Sequence, residues 1–523
     1  MKKNLFSKAL ALCLAVVLCL GMLAGCGGKQ LTPKELFDLT VNNEEKEIND
    51  GVITMYGSSL DAMTAAEGTT VGVKISLGDA ARQLLGTATQ GQVSFDWLKE
   101  IGLSFGSKLD KGVSSNQVGI SLNGTELAKV NAVLDTQNEK AFFSVPELLS
   151  DALSLDIKAM MEKTGASLPV DLKSVMDLKS WLPDQAVLKS LTDKYTKLVL
   201  SNITDIVKED ATVDAGGLSQ KCSKLTTTIG ADTAKKIASA VADAAEKDTE
   251  FAGVLDKIGK VMGFTSSEVL PEIVKSMRDT EDLTGELKLV LYADDKGNAV
   301  GLEANGTNSE TDENYTMKFY APEQDGKTAL SMEMSNGEQK VTVTGSGTKA
   351  NNATEGTYAV AVNGDEILTI GEKTTDLEKA KKGIVNGTYT IKAGKALAEL
   401  MGSNPVASLL TQFSVKMDVA MADAGSGKAA ISLVDNTGND FAAISLDQTK
   451  GWSGDASVAT DKAVDVTDPS SVTGLLSKVD FNGLVEKLKS AGVPEQLTQA
   501  ISMIPYLLSG NLGAAPGSSA EED

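Results

Sequence analysis

Apolar and polar residues alternate along two long stretches of this chain. In the first, Val71, Val73, Ile75 and Leu77 take every second position, as do Ile101, Leu103 and Phe105, and then Val118, Ile120 and Leu122. A period of two is that of a strand with one buried face. Turn signals fall between the runs, at Asp110-Lys111-Gly112, Asn123-Gly124 and Thr136-Gln137-Asn138-Glu139. Asn-Gly is the sharpest of them, because both central residues of a two-residue hairpin turn need positive φ. Leu127–Leu134 and Ala141–Val145 complete an antiparallel meander predicted from Val93 to Val145.

The second stretch runs from about Leu283 to Val466. Leu287, Leu289 and Leu291 alternate, as do Tyr315, Met317 and Phe319, then Leu330, Met332 and Met334, and Val341 with Val343. Tyr358, Val360 and Val362 follow, then Val415, Met417, Val419 and Met421. Turns recur at Asp295-Lys296-Gly297-Asn298, Asn336-Gly337, Asn363-Gly364, Asn386-Gly387 and Asn436-Thr437-Gly438. The pattern Ile120-Ser121-Leu122-Asn123-Gly124-Thr125-Glu126-Leu127 is echoed by Val360-Ala361-Val362-Asn363-Gly364-Asp365-Glu366-Ile367. Two readings of the echo stand side by side: an internal duplication, or the common look of any Asn-Gly hairpin.

Helical signals occupy the rest. Thr32, Pro33 and Glu35 make a capping box with proline at the first helical position. That helix is expected to fade into a solvated charged run, Asn42–Asp50. Helices are predicted at Glu147–Lys163, Asp184–Lys208, Thr233–Lys247 and Ser266–Met277, then Ala393–Leu410, Val472–Lys478, Phe481–Lys489 and Glu495–Leu508. The fold class expected is α+β: a large antiparallel β-meander sheet, or sheets, packed against helices, with central and C-terminal helical segments. The order is 1–25 signal, 26–31 tether, 32–146 helix plus meander, 147–282 mainly helical, 283–466 second β-rich region, 467–509 closing helices and 510–523 disordered acidic tail.

Composition narrows the chemistry. The chain has 523 residues, 42% of them apolar and only 4% aromatic, so its core is aliphatic. Three lysines leave with the signal, which takes the net charge from −22 to −25. Such a balance argues against nucleic acid, which needs a basic face, and against electrostatic docking on anionic lipid. There is no histidine. His-based triads, His-containing zinc sites and the commonest general base are therefore excluded. Cys13 and Cys19 lie in the signal, and Cys26 and Cys222 remain. Lys221 and Lys224 flank Cys222, yet an inert thiol is the expectation. Lys163-Thr164-Gly165 and Gly425-Ser426-Gly427-Lys428 complete no catalytic or phosphate-binding motif. No catalytic residue, metal site or cofactor is expected. The suggestive feature is methionine on strand faces, at Met317, Met332, Met334, Met417 and Met421, where flexible thioethers suit an apolar ligand.

The first residues carry a resemblance. Lys2, Lys3 and Lys8 precede an apolar run from Ala9 to Leu23, the layout of a secretory signal. Leu23-Ala24-Gly25-Cys26 resembles the bacterial lipobox, whose cysteine receives a diacylglycerol and whose chain is cut between the residues matching Gly25 and Cys26. The resemblance implies a chain held to the cell membrane through lipid on Cys26, facing outside the cytoplasm. The remainder resembles the large uncharacterised surface lipoproteins of Gram-positive bacteria and, in pattern, the lipoprotein-carrier class, a half-barrel with helices on its concave side. That likeness implies non-catalytic binding of an apolar or envelope ligand. The alternative is a structural or protein-interaction module at the surface, with unknown partners. A transporter-associated solute receptor is less favoured, since two α/β lobes do not match the antiparallel pattern.

Overall fold

A computed structural model describes residues 31–504, apart from 65–66, 90–92, 111, 165–176, 280–284, 308–313, 401–410, 424, 453–455, 457, 468–473 and 476–477. The fold is α+β, with antiparallel strands dominant. It divides into two compact units, each assembled from two separate stretches: Met1–Ser58 with Lys179–Ala420, and Ser59–Leu178 with Met421–Asp523.

The second of these units is built on β1 (Thr69–Leu77), β2 (Glu100–Asp110), β3 (Val113–Leu122), β4 (Thr125–Asp135), β5 (Lys140–Val145) and β6 (Leu149–Asp156). These strands pair in sequence order, antiparallel throughout. The order is extended on the β1 side by β20 (Asp440–Lys450) and β19 (Ser426–Asp435). The two-residue β21 (Val464–Asp465) runs parallel to β6. Asn123 and Gly124 turn β3 into β4 with φ of 51° and 80°. Helices α3 (Asp79–Ala88), α4 (Ile157–Thr164), α9 (Phe481–Ser490) and α10 (Glu495–Ser502) complete it.

The first unit begins with α1 (Pro33–Ile48), where Thr32 and Glu35 form the expected capping box. A π-helical turn, Asn49–Ile53, leads into α2 (Thr54–Met63), which crosses into the other unit's stretch. Helices α5 (Gln185–Ser201), α6 (Ala231–Lys247), α7 (Thr249–Met262) and α8 (Ser266–Arg278) follow. The sheet runs in sequence order from β7 (Val207–Ala215), β8 (Leu218–Ile229), β9 (Leu287–Ala293), β10 (Ala299–Thr307) and β11 (Asn314–Tyr320). It continues through β13 (Lys327–Ser335), β14 (Lys340–Ala350), β15 (Ala353–Val362), β16 (Asp365–Thr374), β17 (Asn386–Ala393) and β18 (Phe413–Asp423). The short β12 (Glu323–Gln324) pairs with β13. Leu36, Phe37 and Val41 of α1 pack with Leu200 of α5 against Leu225, Leu289 and Leu302 of the sheet. Each leucine so buried contributes roughly 2 kcal/mol.

Three expectations need correction. The stretch 147–282 is mainly helical among the described residues, but β6, β7 and β8 also lie in it, at the cost of two expected helices. The helix expected at Glu147–Lys163 is strand to Asp156, where Leu153 and Leu155 pair with Phe143 and Ala141 of β5. The helix expected at Asp184–Lys208 stops at Ser201, and Val207 opens β7, whose Lys208, Glu209 and Asp210 hide any alternation. Tertiary pairing overrides local propensity at both places. The third concerns Asn42–Asp50. Glu44, Glu45 and Asn49 are buried, so this is a packed helix end and not a solvated one. The expected helix Ala393–Leu410 is seen as Lys395–Leu400, with the rest outside the described residues. Val472–Lys478 also falls largely outside them.

Candidate functional site

In the second unit one sheet face is apolar and incompletely covered. Ile431, Ile444, Ile75 and Ile101 stand opposite one another across β19, β20, β1 and β2. The row spans three strand spacings, roughly 14 Å. Its isoleucines are 49%, 51%, 40% and 39% exposed. Leu446, Val73, Leu103 and Ile120 form the next row, and Val71, Phe105, Val118 and Val130 a third. Among the described residues the far end is sealed, where Leu122 packs with Leu488 of α9, Ala491 and Val493. Positions between these rows, such as Lys74, Gly102 and Ser121, form the opposite face. Alternation thus leaves an aliphatic surface in water. Contiguous exposed apolar faces of this kind are candidates for covering by a partner or ligand.

The first unit has a face of the same kind. Its helices cover the part formed by β8, β9 and β10. Further along, Met317, Met334, Val341 and Val362 make one row, and Phe319, Met332, Val343 and Val360 the next. Ile370, Ile391 and Val415 make a third across β16, β17 and β18. Met334, Ile391 and Val415 are exposed.

The methionines singled out by sequence separate accordingly. Met317 lies directly opposite Met334, and Met332 opposite Phe319, so these three form one cluster on β11 and β13. Met317 also packs onto the buried core beneath α1. Met417 lies opposite Tyr389 on β18, strands away from that cluster. Met421 ends the same strand beyond its paired register and is counted with the other unit. Leu23, Ala24, Gly25 and Cys26 lie outside the described residues.

Polar groups add little reactivity. Cys222 is half-buried, its Sγ 3.8 Å from the Ala211 carbonyl oxygen. Burial pushes its thiol up to about 11, away from the thiolate a nucleophile needs. On the far side of β9–β11, Glu303 Oε1 accepts from Tyr292 at 2.7 Å and from Tyr320 at 2.5 Å. Both phenols are pushed well above the usual tyrosine range, by burial and then by Glu303. Sequence reasoning missed this cluster, because the three residues come from three strands. A concavity of about 380 Å³ is lined by Asp365, Glu366, Gly394, Lys395, Ala396 and Glu399, a charged wall that does not suit an apolar guest. No group of three metal-ligating side chains occurs among the described residues. No helix among them is long and apolar enough to cross a membrane, which says nothing of strands.

Comparison with known proteins returned nothing: no family model matches the chain, no curated protein is significantly similar to it, and no solved structure matches it.

Proposed function

We propose that this chain is a membrane-anchored lipoprotein, acylated on Cys26 and facing outside the cytoplasm, that binds an apolar or envelope ligand without catalysis. The observation that carries the ligand reading is the open isoleucine row of β19, β20, β1 and β2. Keeping four isoleucines in water is unfavourable, and covering them with an apolar partner recovers that free energy. The anchoring reading rests on Leu23-Ala24-Gly25-Cys26 and the apolar run before it. Two acyl chains hold a protein stably at a membrane, each buried methylene adding about 0.8 kcal/mol.

The test uses the soluble form, with the signal removed and Cys26→Ser. Native mass spectrometry and lipid extraction are expected to find fatty acid or phospholipid, co-purifying or taken up on titration in stoichiometric amount. A clean apo mass with no uptake overturns the apolar-ligand reading. A second reading, a protein-interaction module at the cell surface, is favoured by the openness of the face, which encloses nothing. That outcome would promote it. Mass spectrometry of the membrane fraction tests the anchor: a diacylglycerol thioether on Cys26 is expected, and an unmodified cysteine contradicts it.

A further inference from the structure

Among the described residues, four buried polar side-chain atoms lack a hydrogen-bond partner: Glu44 Oε2, Arg82 Nε, Trp97 Nε1 and Asn298 Oδ1. Two of the four belong to residues of one junction, that of α1 with the β9–β10 hairpin. Glu44 sits in the last turn of α1, only 2% exposed, and its Oε1 accepts from the Ala299 N–H at 3.4 Å. Asn298 is the residue before Ala299, in the β9–β10 hairpin. Its Nδ2 donates to Asp294 Oδ2 at 2.7 Å, which leaves Oδ1 as its free end. Alongside, Asn43 Nδ2 donates to the Gly297 carbonyl at 2.9 Å. The junction therefore holds two orphaned acceptors, one on Glu44 and one on the residue before Glu44's N–H partner Ala299, and lacks one donor. A buried acceptor without a donor is costly, and a single proton between the two removes both penalties.

The charges around Glu44 favour that proton. On its own helix, Glu47 adds negative charge, and Lys381, 3.9 Å from it, is shared with Glu378. Glu45 turns towards α5, where Asp193 adds negative charge and Lys197 a weaker positive one. In the hairpin, Asp294 is committed to the Lys296 and Asn298 N–H groups. No cation pairs with Glu44 among the described residues.

We propose that Glu44 is a proton latch: as a neutral acid it donates from Oε2 to Asn298 Oδ1, fastening the end of α1 to the β9–β10 hairpin, and ionisation in alkali releases it. The sense of the pH dependence follows from burial, which raises the carboxyl from 4.5 to about 8. A raised folded value means that the latch is fully closed below 4.5 and weakens as pH rises through about 8. The latch is independent of ligand binding and of the anchor.

The test uses the full soluble chain. Hydrogen exchange of the Ala299 amide and the last turn of α1, corrected for intrinsic rate, reads the opening equilibrium from about pH 5 to about pH 9. Opening is expected to rise roughly tenfold per pH unit approaching the midpoint. Glu44→Gln keeps a neutral donor at the site and is expected to be flat across the same range. A carbon-13 titration of the wild-type glutamate carboxyls stands independently of any variant's folding. One carboxyl should titrate near 8, far from the rest. If every glutamate titrates in the ordinary range, or Glu44→Gln opens with the wild-type slope, the latch is overturned.

Discussion

Two meanders, one in each unit, share a backbone plan and differ in what stands on it. Glu100, Val113 and Thr125 open β2, β3 and β4, and Lys340, Ala353 and Asp365 open β14, β15 and β16, each 240 residues later. Ile101 pairs with Leu122, and Val341 with Val362. A register shift falls between Ile120 and Ser121 in one and between Val360 and Ala361 in the other. Asn123 and Asn363 both have φ of 51°. Each Oδ1 reaches back to the start of the preceding strand, Asn123 to the Lys99 and Glu100 N–H groups, Asn363 to that of Lys340. Register and turn are thus fixed by a few residues, while side chains vary. In one meander Phe105 faces Val118; in the other Gly345 faces Tyr358. One aromatic ring fills each cross-strand pair, supplied by opposite strands.

This comparison breaks most sharply at that pair. Gly345→Phe places a second ring where even a Cβ would meet Tyr358 and the Thr357 carbonyl. Urea denaturation should show a loss of about 3 kcal/mol. The double change Gly345→Phe with Tyr358→Val reproduces the other meander's pair and should recover the part of the loss due to the two rings, while the contact with the Thr357 carbonyl remains. No recovery would mean that the two meanders are not interchangeable at this point. The hairpin asparagines come next. Asn123 Nδ2 also donates to the Trp97 and Ala491 carbonyls at 2.6 Å, tying the turn to the end of α9. Asn123→Ala should cost about 2 kcal/mol and Asn363→Ala about 1 kcal/mol in the same assay. Equal costs would show that the extra bonds contribute nothing.

The open face sets a smaller expectation. Ile444→Asn should change stability by no more than about 0.5 kcal/mol, because the side chain is half in water already. It should weaken uptake of an apolar ligand. The smallest effect concerns the β19–β20 turn. Asp435 is held down to about 2 by Thr437 and the Asn439 N–H. A depressed carboxyl stabilises above its unfolded value of 3.8, and this contribution is lost as pH falls through about 2. Thermal scans from about pH 5 to about pH 2 should show a shallower acid slope in Asp435→Asn.

Much of this architecture was legible from residue spacing. Asn123-Gly124 and Asn363-Gly364 announced hairpins because few other pairs accept positive φ twice. The alternation of Ile101, Leu103 and Phe105 announced a one-faced strand. It did not say that helices would cover the Leu122 end, since coverage is decided by residues such as Leu488, far along the chain. The strand β7 is hard to see in sequence because Lys208, Glu209 and Asp210 interrupt its apolar side, which only Ala211, Val213 and Ala215 continue. The burial of Glu44 was invisible too. A run of acids reads as solvated, and only the fold brings Asn298 and Ala299 against it. Met317, Met332 and Met334 fall on alternating strand positions in the sequence, but their adjacency depends on the β11–β13 register.

The most direct measurement is photo-crosslinking of a diazirine fatty acid to the Cys26→Ser soluble chain, with the labelled residues mapped by peptide mass spectrometry. The account predicts adducts on Ile75, Ile101, Ile444 and their neighbours, lost in the double variant Ile75→Asn with Ile444→Asn. Absence of labelling, or labelling that ignores those substitutions, would contradict it.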